Sequence, residues 1–278
     1  MRLVNVSTLQ LEEFIPDKIP QYAILSHRWE ETGEVLFSDF QNGTARRKAA
    51  WEKLEKSCEQ AIKDELDYIW IDTCCIDKSS SAELSESINS MFSFYRHAKV
   101  CYAYLSDVSS DDDIRVPDSK FFKSLWFTRG WTLQELVAPR VVQFFFKDWK
   151  ELGERYDLSD ILSDITRIPE EVLDHSKSFD EFSIAQRMAW ASQRNVTRSE
   201  DMAYCLMGLF DVNMPMLYGE GGVKAFIRLQ EEIIKISDDT SIFAWVDSEA
   251  PLNVQSQVPH GLLATSIKLN SEEIIHIQ

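Results

Sequence analysis

The chain has 278 residues, with 29 basic against 46 acidic side chains for a net charge of −17, and 44% apolar and 12% aromatic residues. That length suits one large domain or a compact core with an extension, and the apolar share can fill its interior. The acidic balance opposes phosphate-backbone contact, so nucleic acid is not an expected partner, and no segment nears the roughly 18 apolar residues of a membrane span. No long apolar run follows Arg2, and the five cysteines are odd in number without C-x-x-C spacing, so a reducing, cytoplasmic setting is expected. The five histidines are scattered, so no metal is expected.

Residues 1–20 are short apolar pieces broken by Pro16 and Pro20, which read as a lead-in along the domain edge. Residues 22–26 form a short apolar run suited to a buried strand, ending in Ser26-His27-Arg28-Trp29. Between residues 44 and 66, Trp51, Leu54, Cys58, Ala61 and Ile62 recur at helical spacing. Residues 68–72 predict a second strand, followed by the loop Thr73 to Ser79. Ser80 and Glu83 have capping-box spacing ahead of a helix whose face carries Leu84, Ile88, Met91, Phe92 and Tyr95. A third strand spans residues 100–105. The acidic loop at residues 109–113 reads as solvated, because its oxygens lack the spacing of a calcium site.

A short helix follows around Trp131, stopping near Pro139, and residues 141–146 predict a fourth strand. Trp131 and Glu135 would lie one turn apart on that helix, an aromatic plane beside a carboxylate. The bland alternative makes Trp131 core and Glu135 solvated surface. Alternation of strand and helix from 21 to 146 argues for a mostly parallel sheet with helices on both faces. Ligands in such sheets sit beyond the carboxyl ends of the strands, which gathers residues 26–29, 72–78 and 105–135 at one rim. Beyond 146 the pattern turns helical, over 158–168, 182–192, 200–210 and 223–236, with a further strand expected at 241–246. The expected organisation is therefore a core over 1–146 and a mainly helical extension over 147–278.

The runs Tyr22 to Trp29 (YAILSHRW), Tyr68 to Lys78 (YIWIDTCCIDK) and Trp126 to Leu136 (WFTRGWTLQEL) resemble the three signature blocks of the fungal HET, or heterokaryon incompatibility, domain. Arg198 to Gly221 resembles the continuation found in HET domains attached to NACHT-type receptors, and Glu30 stands where many members have Gly. HET domains are in turn similar to TIR domains, and Trp131 with Glu135 matches the W-x-x-x-E helix of TIR-type NAD hydrolases. The resemblance implies a TIR-like, flavodoxin-like α/β fold with Glu135 catalytic. It implies NAD as substrate rather than cofactor, self-association through TIR-like surfaces, and a NACHT-type receptor domain, in cis or in trans, as partner.

The chemistry fits a single carboxylate. The nicotinamide of NAD is a cationic pyridinium that departs neutral, so no acid is needed, and a fixed carboxylate stabilises the charge that moves onto the ribose. Ser26, His27, Arg28, Asp72, Arg129 and Trp131 are the accompanying substrate-binding candidates, with Arg28 or Arg129 offsetting the pyrophosphate. No G-x-G-x-x-G cradle is present, which argues against dehydrogenase-like dinucleotide storage. Two other readings compete: a non-catalytic adaptor that signals cell death through partners, and a thiol protease pairing Cys74 or Cys75 with His27 or His97.

Overall fold

Four runs rich in β-branched and aromatic residues form the parallel centre of the sheet in a computed structural model that describes residues 1–30, 32–244 and 263–267. In chain order the strands are β1 (Arg2–Asn5), β2 (Gln10–Glu13), β3 (Ala23–His27), β4 (Tyr68–Trp70), β5 (Val100–Tyr104), β6 (Val142–Phe145) and β7 (Glu151–Glu154). They lie side by side as β2-β1-β4-β3-β5-β6-β7. The pairs β3/β4, β3/β5 and β5/β6 are parallel, while β1/β2, β1/β4 and β6/β7 are antiparallel. Every residue of β3 is buried, as expected of a strand covered on both faces.

Helices surround this sheet: α1 (Phe37–Gln41), α2 (Trp51–Lys63), α3 (Ser81–His97), α4 (Thr132–Val137), α5 (Ser159–Thr166), α6 (Glu170–Leu173), α7 (Ile184–Ala189), α8 (Asp201–Tyr204) and α9 (Gly222–Ile236). The stripe on α2 buries Leu54, Cys58 and Ala61, and the helix packs on β4. Ser80 caps α3, its Oγ accepting from the Glu83 N–H. The Glu83 carboxylate turns away from the reciprocal bond and takes the Asp77 N–H and the Arg2 guanidinium instead.

The four parallel strands run β4-β3-β5-β6, so the chain order reverses between β3 and β5. Crevices outside the carboxyl ends at such a reversal are where doubly wound sheets bind ligands. That position lies beside His27 and Leu105, at the ends of the two strands.

Three expectations change. Residues 2–13 are an antiparallel hairpin that extends the sheet, because Val4 and Asn5 pair with Ile69 and Tyr68. The sheet also continues past residue 146, since β7 returns against β6. The strand expected at 241–246 is a 3-10 turn over Thr240–Phe243, fixed by the Asp239 side chain accepting from the Ser241 N–H; Trp245 and Val246 lie outside the described residues. In the acidic loop, Asp112 binds its own chain through the Lys120 and Phe121 N–H groups. Apolar residues of the later helices, among them Leu206, Leu229 and Ile233, join the strands in one continuous core.

Candidate active site

Helix α4 has only six residues, and all six are buried. Its position is set by a crossing of two chain segments: Gly130 N–H donates to Asn195 O at 2.9 Å, and Asn195 N–H to Thr128 O at 2.6 Å. A Cβ at Gly130 would lie 2.6 Å from Val196 Cγ1 and 3.1 Å from Cys205 Sγ, so the close approach needs glycine. Arg194 secures the same corner from inside, donating to Arg129 O and Thr132 Oγ1 at 2.9 and 2.8 Å.

This corner aims Glu135 at the end of β3. Ser26 Oγ donates to Glu135 Oε2 at 2.5 Å, and Trp126 Nε1 donates to Ser26 Oγ at 2.9 Å. The Tyr95 hydroxyl stands near Glu135 and donates to Leu25 O at 3.2 Å. Burial pushes the Glu135 carboxyl up to about 8, a rise that neighbouring Asp72 reinforces, while Ser26, Arg129 and Tyr95 pull the other way.

Glu135 opens onto a cavity of about 340 Å³ that His27, Asp72, Arg129 and Trp131 also line. His27 is nearly inaccessible, and neither ring nitrogen has a hydrogen-bond partner among the described residues. Its Nε2 stands 3.8 Å from Glu34 Oε2 and 4.0 Å from Asp72 Oδ1, beyond hydrogen-bond reach. Burial, helped by Lys53, Lys78 and Arg129, holds this imidazole well below its usual range, so it is neutral. Glu34 already carries the Lys53 ammonium at 2.6 Å. Asp72 Oδ2 accepts from Trp29 Nε1 at 2.8 Å, and Oδ1 has no partner.

Five of the seven residues expected at the site thus face one space: His27, Asp72, Arg129, Trp131 and Glu135. Ser26 stands behind Glu135 rather than in the wall. Arg28, the first residue past the end of β3, is half-buried and is not part of the lining. Glu30 is not among the residues with positive φ, and its N–H is held by Glu34 Oε1 at 2.8 Å, so that turn does not require glycine.

Lys78 stood within the 72–78 stretch expected at the rim, whereas the part of the wall from the helical extension was not apparent from the sequence motifs alone. Lys78 enters from the loop after β4, and Arg198, Asp201 and Tyr218 come from the helical extension. Asp201 accepts from Tyr218 Oη at 2.9 Å and lies near the Trp131 side chain. Glu200 fixes the Tyr218 loop by accepting from the Gly219 and Gly221 N–H groups at 2.8 and 3.1 Å. The only hint was residue type, an acid and an aromatic inside the stretch 198–221.

The thiol pairing has no geometry to support it. Cys74 and Cys75 are both buried, and burial drives the Cys74 thiol well above its usual range. Cys74 Sγ points to Ile71 O, and the His97 ring is engaged by Ser93. Among the described residues no group of three or more His, Cys, Asp or Glu is arranged to hold a metal, and no helix is long and apolar enough to cross a membrane.

Residues 22–120 match the family model described as heterokaryon incompatibility protein (HET), and residues 224–274 match a domain of unknown function, DUF8212. The HET match takes in His27, Asp72 and Lys78 and stops before Glu135. The chain is 51% identical over 223 residues to the vegetative incompatibility protein HET-E-1 of Podospora anserina. That alignment covers 78% of this chain and 16% of the relative, so the chain spans a small part of that protein's length. No solved structure matches the chain.

Proposed function

We propose that this chain, which carries a fungal heterokaryon incompatibility domain over residues 22–120, is a cell-death effector that hydrolyses the nicotinamide N-glycosidic bond of NAD after self-association. The observation that carries the reading is the Glu135 carboxyl in the wall of the 340 Å³ cavity, with Trp131 also lining it. The parallel order β4-β3-β5-β6 agrees with a TIR-like, flavodoxin-like core, and the cavity lies where such an order turns back on itself.

In the reaction the bond between ribose C1′ and the pyridinium nitrogen breaks, and both electrons go to the ring, which leaves as neutral nicotinamide. Water adds to C1′ and gives up a proton, leaving ADP-ribose. A value near 8 keeps Glu135 largely protonated at neutral pH. A cationic ring beside it favours the carboxylate, so binding substrate drives the proton off. The resulting anion faces the positive charge developing on the ribose in a site shielded from water. Ser26 holds the carboxyl in place, and the Trp131 indole in the cavity wall offers a flat face for the ring.

A second reading, a non-catalytic oligomerisation module, is favoured by one feature: Ser26, itself held by Trp126, hydrogen-bonds a Glu135 that is mostly neutral, as in a purely structural network. Nicotinamide release from concentrated or artificially clustered chain separates the two. The hydrolase reading expects release to fall by about 10²- to 10³-fold in Glu135→Gln. Equal release from both proteins, with cell death undiminished, leaves the adaptor.

A NACHT-type receptor domain, in cis or in trans, remains part of the proposal as the device that brings protomers together.

A further inference from the structure

Three cationic side chains line the cavity in a chain whose net charge is −17: Lys78, Arg129 and Arg198. Among the described residues none of them pairs with a carboxylate within 4.0 Å. Lys78 is the unusual one. Its ammonium is shielded from solvent and has no hydrogen-bond acceptor, although Asp72 is nearby. It is held instead 3.6 Å above the Trp29 ring, and Trp29 keeps the same Asp72 occupied through its indole N–H. The arrangement leaves all three Lys78 donors open.

Arg198 is arranged in a similar way on the opposite wall. Its guanidinium lies 4.4 Å from the Tyr218 ring centroid, while Tyr218 gives its hydroxyl to Asp201. Trp29 and Arg198 are both exposed, and they mark where the cavity meets solvent. In both loops one aromatic residue stacks on a cation and gives its polar hydrogen to an acid of the same wall. A cavity of 340 Å³ is near the lower bound of ordinary ligand sites, about 300 Å³, and encloses one nucleoside-sized moiety. Whatever is attached to that moiety leaves past these two cations.

Resting on the nucleotide reading of this site, we infer that Lys78 and Arg198 are its anion anchor, seating the phosphate attached to the enclosed ribose. Arg28, outside the lining, has no part in it. Burial raises the carboxyls of Asp72, Glu135 and Asp201 and lowers the Lys78 ammonium, so a bound anion favours the charged form of Lys78.

The test compares nicotinamide riboside with nicotinamide mononucleotide, which differ by one phosphate, by calorimetric titration of the full chain. Glu135→Gln serves as background so that turnover does not intervene. The mononucleotide is expected to bind about 10- to 100-fold more tightly, the worth of a charge-assisted contact. Lys78→Met removes most of that margin, Lys78→Arg retains it, and Arg198→Ala reduces it. Equal binding of the two compounds, no binding of the mononucleotide at millimolar concentration, or an intact margin in Lys78→Met overturns the anchor. The margin is independent of catalysis: if it depends on Lys78 while wild type releases no nicotinamide, the anchor stands and hydrolysis falls.

Discussion

Ser26 and Glu135 are 109 residues apart in sequence and share a 2.5 Å hydrogen bond in which the serine hydroxyl donates to the carboxylate oxygen. The serine in turn accepts from the buried indole of Trp126, so one hydroxyl joins the end of β3 to both sides of the α4 corner. Ser26→Ala removes a donor and an acceptor at once. Two buried groups then lack a partner, and stability is expected to drop by about 1–3 kcal/mol in urea unfolding. Because the hydroxyl favours the ionised acid, the variant also moves the acid limb of nicotinamide release to higher pH. An unshifted limb places the ionisation elsewhere.

Glu135 makes stability depend on pH with a defined sign. Its folded value near 8 exceeds the ordinary 4.5, so between those values the folded protein binds more protons than the unfolded chain. The stabilising contribution is complete below 4.5 and disappears as pH rises through about 8. Subtracting the Glu135→Gln curve from wild type isolates it from the other buried acids. A difference curve that is flat across this window contradicts the burial argument.

On the hydrolase proposal the same ionisation sets the rate. For the free protein, kcat/KM for nicotinamide release should climb with pH and level off above about 8, since the carboxylate is the working form. In kcat the limb moves to lower pH, because a bound pyridinium favours the anion. Measuring both profiles on clustered protein checks the order of the two limbs.

Gly130→Ala drives a methyl into Val196, with Cys205 behind it. Destabilisation of about 1–3 kcal/mol is expected from overpacking, with α4 displaced. Val196→Ala in the same chain removes the obstructing methyl, Cγ1, and restores most of the loss. Thermal unfolding of the single and double variants reads it directly; failure of the rescue means that the segment crossing at Asn195 is not what requires glycine.

Asp201→Ala leaves the Tyr218 hydroxyl without its acceptor and removes the carboxylate near Trp131 from the cavity wall. A positioning role predicts a KM for NAD raised about tenfold, from roughly 1.4 kcal/mol of lost binding, with kcat less affected. A fall in kcat alone would place Asp201 in the chemistry.

The four parallel strands and the two long helices α2 and α3 were legible because each buries its own repeating pattern: continuous apolar runs for strands covered on both faces, a 3.6-residue stripe for the helices. The hairpin of residues 2–13 was not, because strands of four residues interrupted by polar side chains take their character from the partner edge offered by β4. The expected strand near 241 went the same way. Its β-branched and aromatic residues fit a strand locally, and the Asp239 side chain bends the backbone into a turn.

The sequence by itself determined which candidates meet at the strand ends: His27, Asp72, Arg129, Trp131 and Glu135 stand in motifs that local pattern and topology assign to one rim, and they line one cavity. Tertiary structure alone decided that Ser26 supports from behind, that Arg28 is left out of the lining, and that Arg198, Asp201 and Tyr218 complete the wall. The reason is physical. Strand ends are brought together by hydrogen-bond register, which periodicity reveals, whereas a wall built from an extension depends on long-range packing such as Gly130 against Asn195 and Val196, and no local pattern encodes it.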